Sequence, residues 1–153
     1  MKIFPLLVAA FLAGDFSHTS PPIALKGYFH CAGAVIEGTG KAFSCYALTQ
    51  SSCRNGTAVL AYEQMVKKIN GQPVYRIVDT VNVKINSAKH DLSITRCVDS
   101  GGQPRSYFVL TPLDQPGQHL SGIQRAWTYN AKDELVEVSL RMTKCLNNDY
   151  GAE

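Results

Sequence analysis

Among the side chains able to do chemistry, the five cysteines and three of the four histidines carry the most information through their spacing. Cys31, Cys45, Cys53, Cys97 and Cys145 include no C-x-x-C pair, which argues against a metal site. In an exported chain the same five read as two disulfides plus one leftover thiol, expected to be buried and inert. His30, His90 and His119 are the groups that exchange protons near neutral pH, and with a distant carboxylate they would supply an acid and a base. His90 and His119 fall on loop-like segments, where a solvated polar role is the expectation. Asn55-Gly56-Thr57 is an N-glycosylation acceptor sequence flanked by loop residues, usable only by a eukaryotic secreted protein.

The first residues bear on the compartment. Lys2 precedes an apolar run from Ile3 to Ala13, the length of a signal-peptide core and too short to span a bilayer. Pro5 and Pro21-Pro22 interrupt any buried element here. Residues 1–24 are therefore expected to be a signal peptide, cleaved between Gly14 and Ala24. No cysteine at the leader's end offers a lipoprotein anchor, and no later segment is apolar for long enough to cross a membrane. The expected product is secreted, without a membrane partner, cofactor or metal. Residues 25–153, about 130 residues, suit one domain with a real core, and a monomer is the expectation. The net charge of +3 permits contact with RNA or acidic surfaces without demanding it.

From Thr39 to Gln50, Phe43, Tyr46, Ala47 and Gln50 fall at i, i+3, i+4, i+7, with Thr39 as N-cap, and predict one short helix. Asn70-Gly71 between "TAVLAYEQMVKKI" and "QPVYRIVDTVNVKI" predicts a hairpin. The first of those segments also places Val59, Tyr62, Val66 and Ile69 on a helix face, but the strand is preferred. Two more hairpins follow: "DLSITRCV" with "SYFVLTP", and "IQRAWTY" with "LVEVSLRMTKC". One helix before a meandering antiparallel sheet is an α+β layout.

The stretch "QRAWTYNAKDELVEVSLRMTKC", preceded by "SYFVLTPLDQPGQHLSG", resembles the closing strands of the fungal guanyl-specific ribonuclease fold over roughly residues 106–145. Phe29-His30-Cys31, just after a secretion signal, is similar to the N-terminal signature of RNase-like effectors, the RNase-like proteins associated with haustoria of biotrophic fungal plant pathogens. The resemblance implies a microbial-ribonuclease-like fold with one helix packed on an antiparallel sheet. It also implies a disulfide from Cys31 to Cys145 and a secreted virulence effector, with delivery into the host cell.

The same resemblance places Arg125 at the phosphate-contacting arginine and Arg141 at the acid histidine. A guanidinium stays protonated and cannot hand over a proton. The glutamate base would fall near Ser106, and no carboxylate lies between Asp99 and Asp114. The implied protein is a pseudo-ribonuclease that binds host proteins or host RNA. Arg125, Arg141, Lys144 and Arg105, with Tyr107, Trp127, Tyr129 and His30, are the candidate contact residues. Trp127 and the segment from Val136 to Leu140 serve equally as sheet core. Two alternatives remain: an active ribonuclease drawing on His30, His90 and His119, and a bacterial inhibitor-like binding domain.

Overall fold

The computed structural model describes residues 25–139 and 144–151. The expected signal peptide and Arg141 lie outside them. Among the described residues nine strands follow one another: β1 (Phe29–Ile36), β2 (Lys41–Ala47), β3 (Gly56–Ile69), β4 (Gln72–Ile85), β5 (His90–Val98), β6 (Pro104–Pro112), β7 (Arg125–Tyr129), β8 (Leu135–Glu137) and β9 (Lys144–Cys145). They form two antiparallel sheets, β1-β2-β3-β4 and β8-β7-β6-β5-β9. No α-helix occurs among the described residues; a 3-10 turn at Ser51–Cys53 is the one helical piece. The expected α+β architecture, a helix packed on one sheet, is thus replaced by an all-β sandwich, and the ribonuclease-like fold implied by the resemblance is not the fold observed.

The segment expected to be the helix is mostly β2. Phe43, Cys45 and Ala47 alternate with Ser44 and Tyr46, so a period of two runs through the same residues that showed helical spacing. Phe43 and Cys45 enter the core between the sheets. Thr39 does not cap a helix but sits in the β1–β2 turn, between Gly38 at φ 72° and Gly40 at φ 66°. Its hydroxyl donates to the Ile36 carbonyl at 2.6 Å and accepts from the Lys41 amide at 3.1 Å. Left-handed residues on both sides turn the chain back on itself and cannot start a helix.

The three expected hairpins are present, the third in shortened form: β8 ends at Glu137, and the end of its expected strand, Lys144–Cys145, pairs with β5 instead. Asn70 and Gly71 both take positive φ, 49° and 79°, the conformation that a two-residue hairpin turn needs. The core lies where the sheets face each other: Phe43, Leu60, Tyr62 and Val83 from the first, Phe108, Leu110, Trp127 and Leu135 from the second. Phe43 stacks on Phe108 at 4.6 Å between ring centroids. Tyr107, Val109 and Ala126 point to the other side of the second sheet, beneath Leu120 and Ile123 of the loop between β6 and β7.

The disulfides are Cys31–Cys53 and Cys97–Cys145, with Cys45 free and buried. The expected Cys31–Cys145 link is therefore wrong, although both cysteines are bridged. Topology gives the reason. Cys145 on β9 lies directly opposite Cys97 on β5 in the second sheet, whereas Cys31 belongs to the edge of the first sheet, beside the 3-10 turn that carries Cys53. Burial raises the Cys45 thiol to about 11, in keeping with the inert role expected of the leftover cysteine.

Candidate binding cleft

Where β1 and β5 approach each other the sandwich gapes. A cleft of about 610 Å³ opens between Cys31–Ala34 on one wall and Asp91–Ile94 on the other, with Cys45 and Phe108 in its lining and Asn147–Asp149 at the far side. A second hollow of about 490 Å³ continues along the same strands, sharing Ala34, Ile94 and Asn148 and reaching Arg105 and Tyr129. The sequence produces this gap because the β1 residues opposite core-facing Cys45 and Phe43 are Ala32 and Ala34. Such small side chains cannot span the space between two sheets that pack about 10 Å apart. Rim charges are mixed: Arg54, Asp91 and Asp149 at one end, Glu37, Arg96 and Arg105 at the other.

A polar junction ties the sheets together beyond the end of the cleft. Asp133, in the β7–β8 turn, accepts hydrogen bonds from Tyr62 Oη at 2.8 Å and Lys41 Nζ at 3.1 Å. Tyr62 stacks on Tyr129 at 4.8 Å, and Lys41 lies 4.3 Å from the Tyr129 ring centroid. Burial works to raise the Asp133 carboxyl, but the bonds from Tyr62 and Lys41 outweigh it and hold the group below the usual range. Asp79 of β4 makes a second tie, accepting from the Leu135 amide at 2.7 Å. Sequence reading missed these two aspartates, whose partners are 71 and 56 residues away in the chain.

The outer face of the first sheet holds a further polar group. Glu63 is 6% exposed and accepts from Ser44 Oγ at 2.9 Å and Tyr46 Oη at 2.7 Å. Burial, then the bond to Glu63, pushes the Tyr46 phenol up to about 12. His30 is exposed and stands edge-on to Tyr46 at 5.2 Å. A Cβ on Gly33 would lie 3.1 Å from His30 Nε2 and 3.2 Å from Ser44 Oγ, so the ring depends on glycine for its place.

The expected contact residues do not converge. Arg125, exposed on β7, makes a two-pronged ion pair with Glu137, at 2.8 and 2.6 Å, and lies 4.7 Å from the Trp127 ring. That hydrogen bond raises the Arg125 pKa and lowers that of Glu137. Trp127 and Tyr107 are 1% and 3% exposed and offer no stacking face. Arg105 and Tyr129 do meet: the guanidinium donates to the Tyr129 carbonyl at 2.7 Å. Ser106 gives its carbonyl to Thr128. His90 begins β5, and exposed His119 bridges to Leu146. Lys144 is exposed on β9, and Asn55 is exposed in the turn before β3, as a glycan acceptor must be. No helix among the described residues is long and apolar enough to cross a membrane, and no group of three or more His, Cys, Asp or Glu among them could hold a metal ion. No protein-family model matches the chain, and neither a curated protein nor a solved structure shows significant similarity to it.

Proposed function

We propose that this is a secreted, non-catalytic binding protein, of the kind a biotrophic fungal pathogen uses as a virulence effector, and that its partner is a host protein entering the cleft between β1 and β5. The observation that carries the reading is the cleft itself, open, with the small residues of β1 on one wall, Leu92, Ile94 and Phe108 within it, and a mixed-charge rim. Two disulfides fit a protein that works in an oxidising compartment. A protein partner is favoured over RNA because the arginine assigned to phosphate is already paired with Glu137, and of the aromatics assigned to bases Tyr107 and Trp127 are buried and Tyr129 is stacked on Tyr62. Neither base stacking nor phosphate neutralisation is then readily available.

The test uses disulfide-intact mature protein, immobilised and exposed to host extracellular and cell extracts, beside Ala32→Arg, which places a long charged side chain at the cleft wall. Retention of a protein by wild type, competed by soluble wild type and lost in Ala32→Arg, is the expected result. In parallel, a guanosine-rich RNA should be neither cleaved nor bound in a salt-sensitive way. Cleavage that disappears in His30→Ala, His90→Ala or His119→Ala would reject this reading for the active-ribonuclease alternative.

A further inference from the structure

Resting on the binding reading above, we infer that the cleft takes its partner as an extended peptide that adds a strand to β1 along Ala32–Ile36. A sheet edge is a row of unpaired N–H and C=O groups, and folded proteins normally guard such rows with charges, proline, bulges, short strands or a covering segment. Among the described residues the other edges carry guards, and the start of β5, before its covered stretch, carries the charge of Asp91. β4 carries Pro73, Arg76 and Lys84 and gives Asp79 to β8. β8 is three residues long. β5 is covered by β9 at Cys97 and Val98. Further along it is covered by the Leu146 amide on the Arg96 carbonyl at 3.0 Å and by Asn148 Nδ2 on the Ile94 carbonyl at 2.9 Å.

β1 is guarded only at its start. A register shift between His30 and Ala32 breaks the ladder there, and the disulfide to Cys53 pins the same point. Beyond it the strand reads Ala-Gly-Ala-Val-Ile, with no charge and no proline. Among the described residues, β2 is the one strand that pairs with it.

The place of this bare edge selects the occupant. Gly33 lines the cleft with nothing but backbone, so an incoming chain can approach to ladder distance. Five residues of strand extend about 17 Å, and the two hollows, which share Ala34, Ile94 and Asn148, run along that stretch. The far wall, β5 with Asn147–Asp149, faces the edge across the cleft. The cleft between them, about 610 Å³, has the size of a short peptide segment and not of a second sandwich, so one extended chain is the occupant inferred. Inward side chains of the peptide would meet Leu92, Ile94 and Phe108, which calls for an apolar residue at alternate positions. The mixed rim calls for no net charge.

The experiment selects short peptides from a displayed random library on folded wild-type protein, with counter-selection on Ala32→Arg. That residue is exposed, and an unchanged melting temperature checks that the variant folds. Selected peptides should carry apolar residues at every second position. N-methylation, scanned along one such peptide, should weaken binding by about tenfold at alternate residues and leave it within about twofold at those between, because only every second amide points at β1. Peptides that bind Ala32→Arg equally well, a flat N-methylation profile, or no enrichment would each overturn strand addition. If the host protein of the preceding test is still retained by wild type and lost in Ala32→Arg, a failed peptide result overturns strand addition alone and leaves the binding reading standing. A wild-type dimer in sedimentation that Ala32→Arg abolishes would also overturn it, by assigning the edge to a second copy.

Discussion

β1 and β5 face each other across the same cleft, and each is pinned by a disulfide, yet their edges differ. The chain's last described residues lie along β5: Cys145 bonds covalently to Cys97, the Leu146 carbonyl takes the buried Thr95 hydroxyl at 2.7 Å, and Asn148 reaches the Ile94 carbonyl. On β1 the disulfide holds only Cys31, near the start of the strand, and among the described residues β2 is the one strand paired with Ala32–Ile36. A disulfide that joins two paired strands seals an edge, whereas one that joins a strand to a loop fixes its position and leaves the edge available.

The largest effect should come from breaking the seal. For the 48-residue separation of Cys97 and Cys145 the chain-entropy model gives about 4 kcal/mol, an upper value because strain and residual unfolded structure subtract from it. Cys97→Ser/Cys145→Ser should lose most of that in guanidinium unfolding. Cys31→Ser/Cys53→Ser, closing a separation of 22, should lose about 3 kcal/mol. Equal losses, or a larger one at Cys31, would break the contrast. Within the seal, Asn148→Ala removes the hydrogen bond to the Ile94 carbonyl and the longer one, 3.4 Å, accepted from the Thr95 hydroxyl, and should cost about 1 kcal/mol, with faster amide exchange on β5 and none of that change on β1.

The junction beyond the cleft sharpens the picture by pH. Asp133→Asn should cost about 1 kcal/mol at neutral pH through weakened bonds from Lys41 and Tyr62. Because the folded-state pKa of Asp133 is depressed, its stabilisation is present above the unfolded carboxyl value of about 3.9 and is lost as pH falls through the folded value. The stability gap between wild type and variant should therefore close in acid below about pH 4; a gap unchanged down to pH 2 would contradict the assignment. The smallest effect is expected at Arg125. Its ion pair with Glu137 is solvent-exposed, so Arg125→Ala should cost below about 1 kcal/mol, less still in high salt, as read by thermal melts.

Much of the sheet was legible because hairpin chemistry is local. Asn70-Gly71 and the alternating runs around it specify β3 and β4 without reference to anything distant. β2 was misread because seven residues are too few to separate the two periods: Phe43, Tyr46 and Ala47 satisfy the helix, Phe43, Cys45 and Ala47 the strand. The flanking Gly38 and Gly40 were the signal that favoured the strand. Disulfide partners were illegible because pairing follows register between distant segments. The cleft was illegible for a different reason. Sequence reading looks for side chains with chemistry, and Arg125, Tyr107 and Trp127 have it but spend it on internal partners, while the open edge is made of alanine and glycine, whose importance is that they leave backbone uncovered.

Residue-resolved amide exchange on the free, disulfide-intact protein tests the central claim, that β1 is the edge left open for a partner, most directly. The account predicts that within Ala32–Ile36 alternate amides, those facing the cleft, exchange orders of magnitude faster than the amide of Leu146, whose partner is the Arg96 carbonyl, and those of β5 at Cys97 and Val98. Uniform protection through Ala32–Ile36, equal to that of β5, would contradict it.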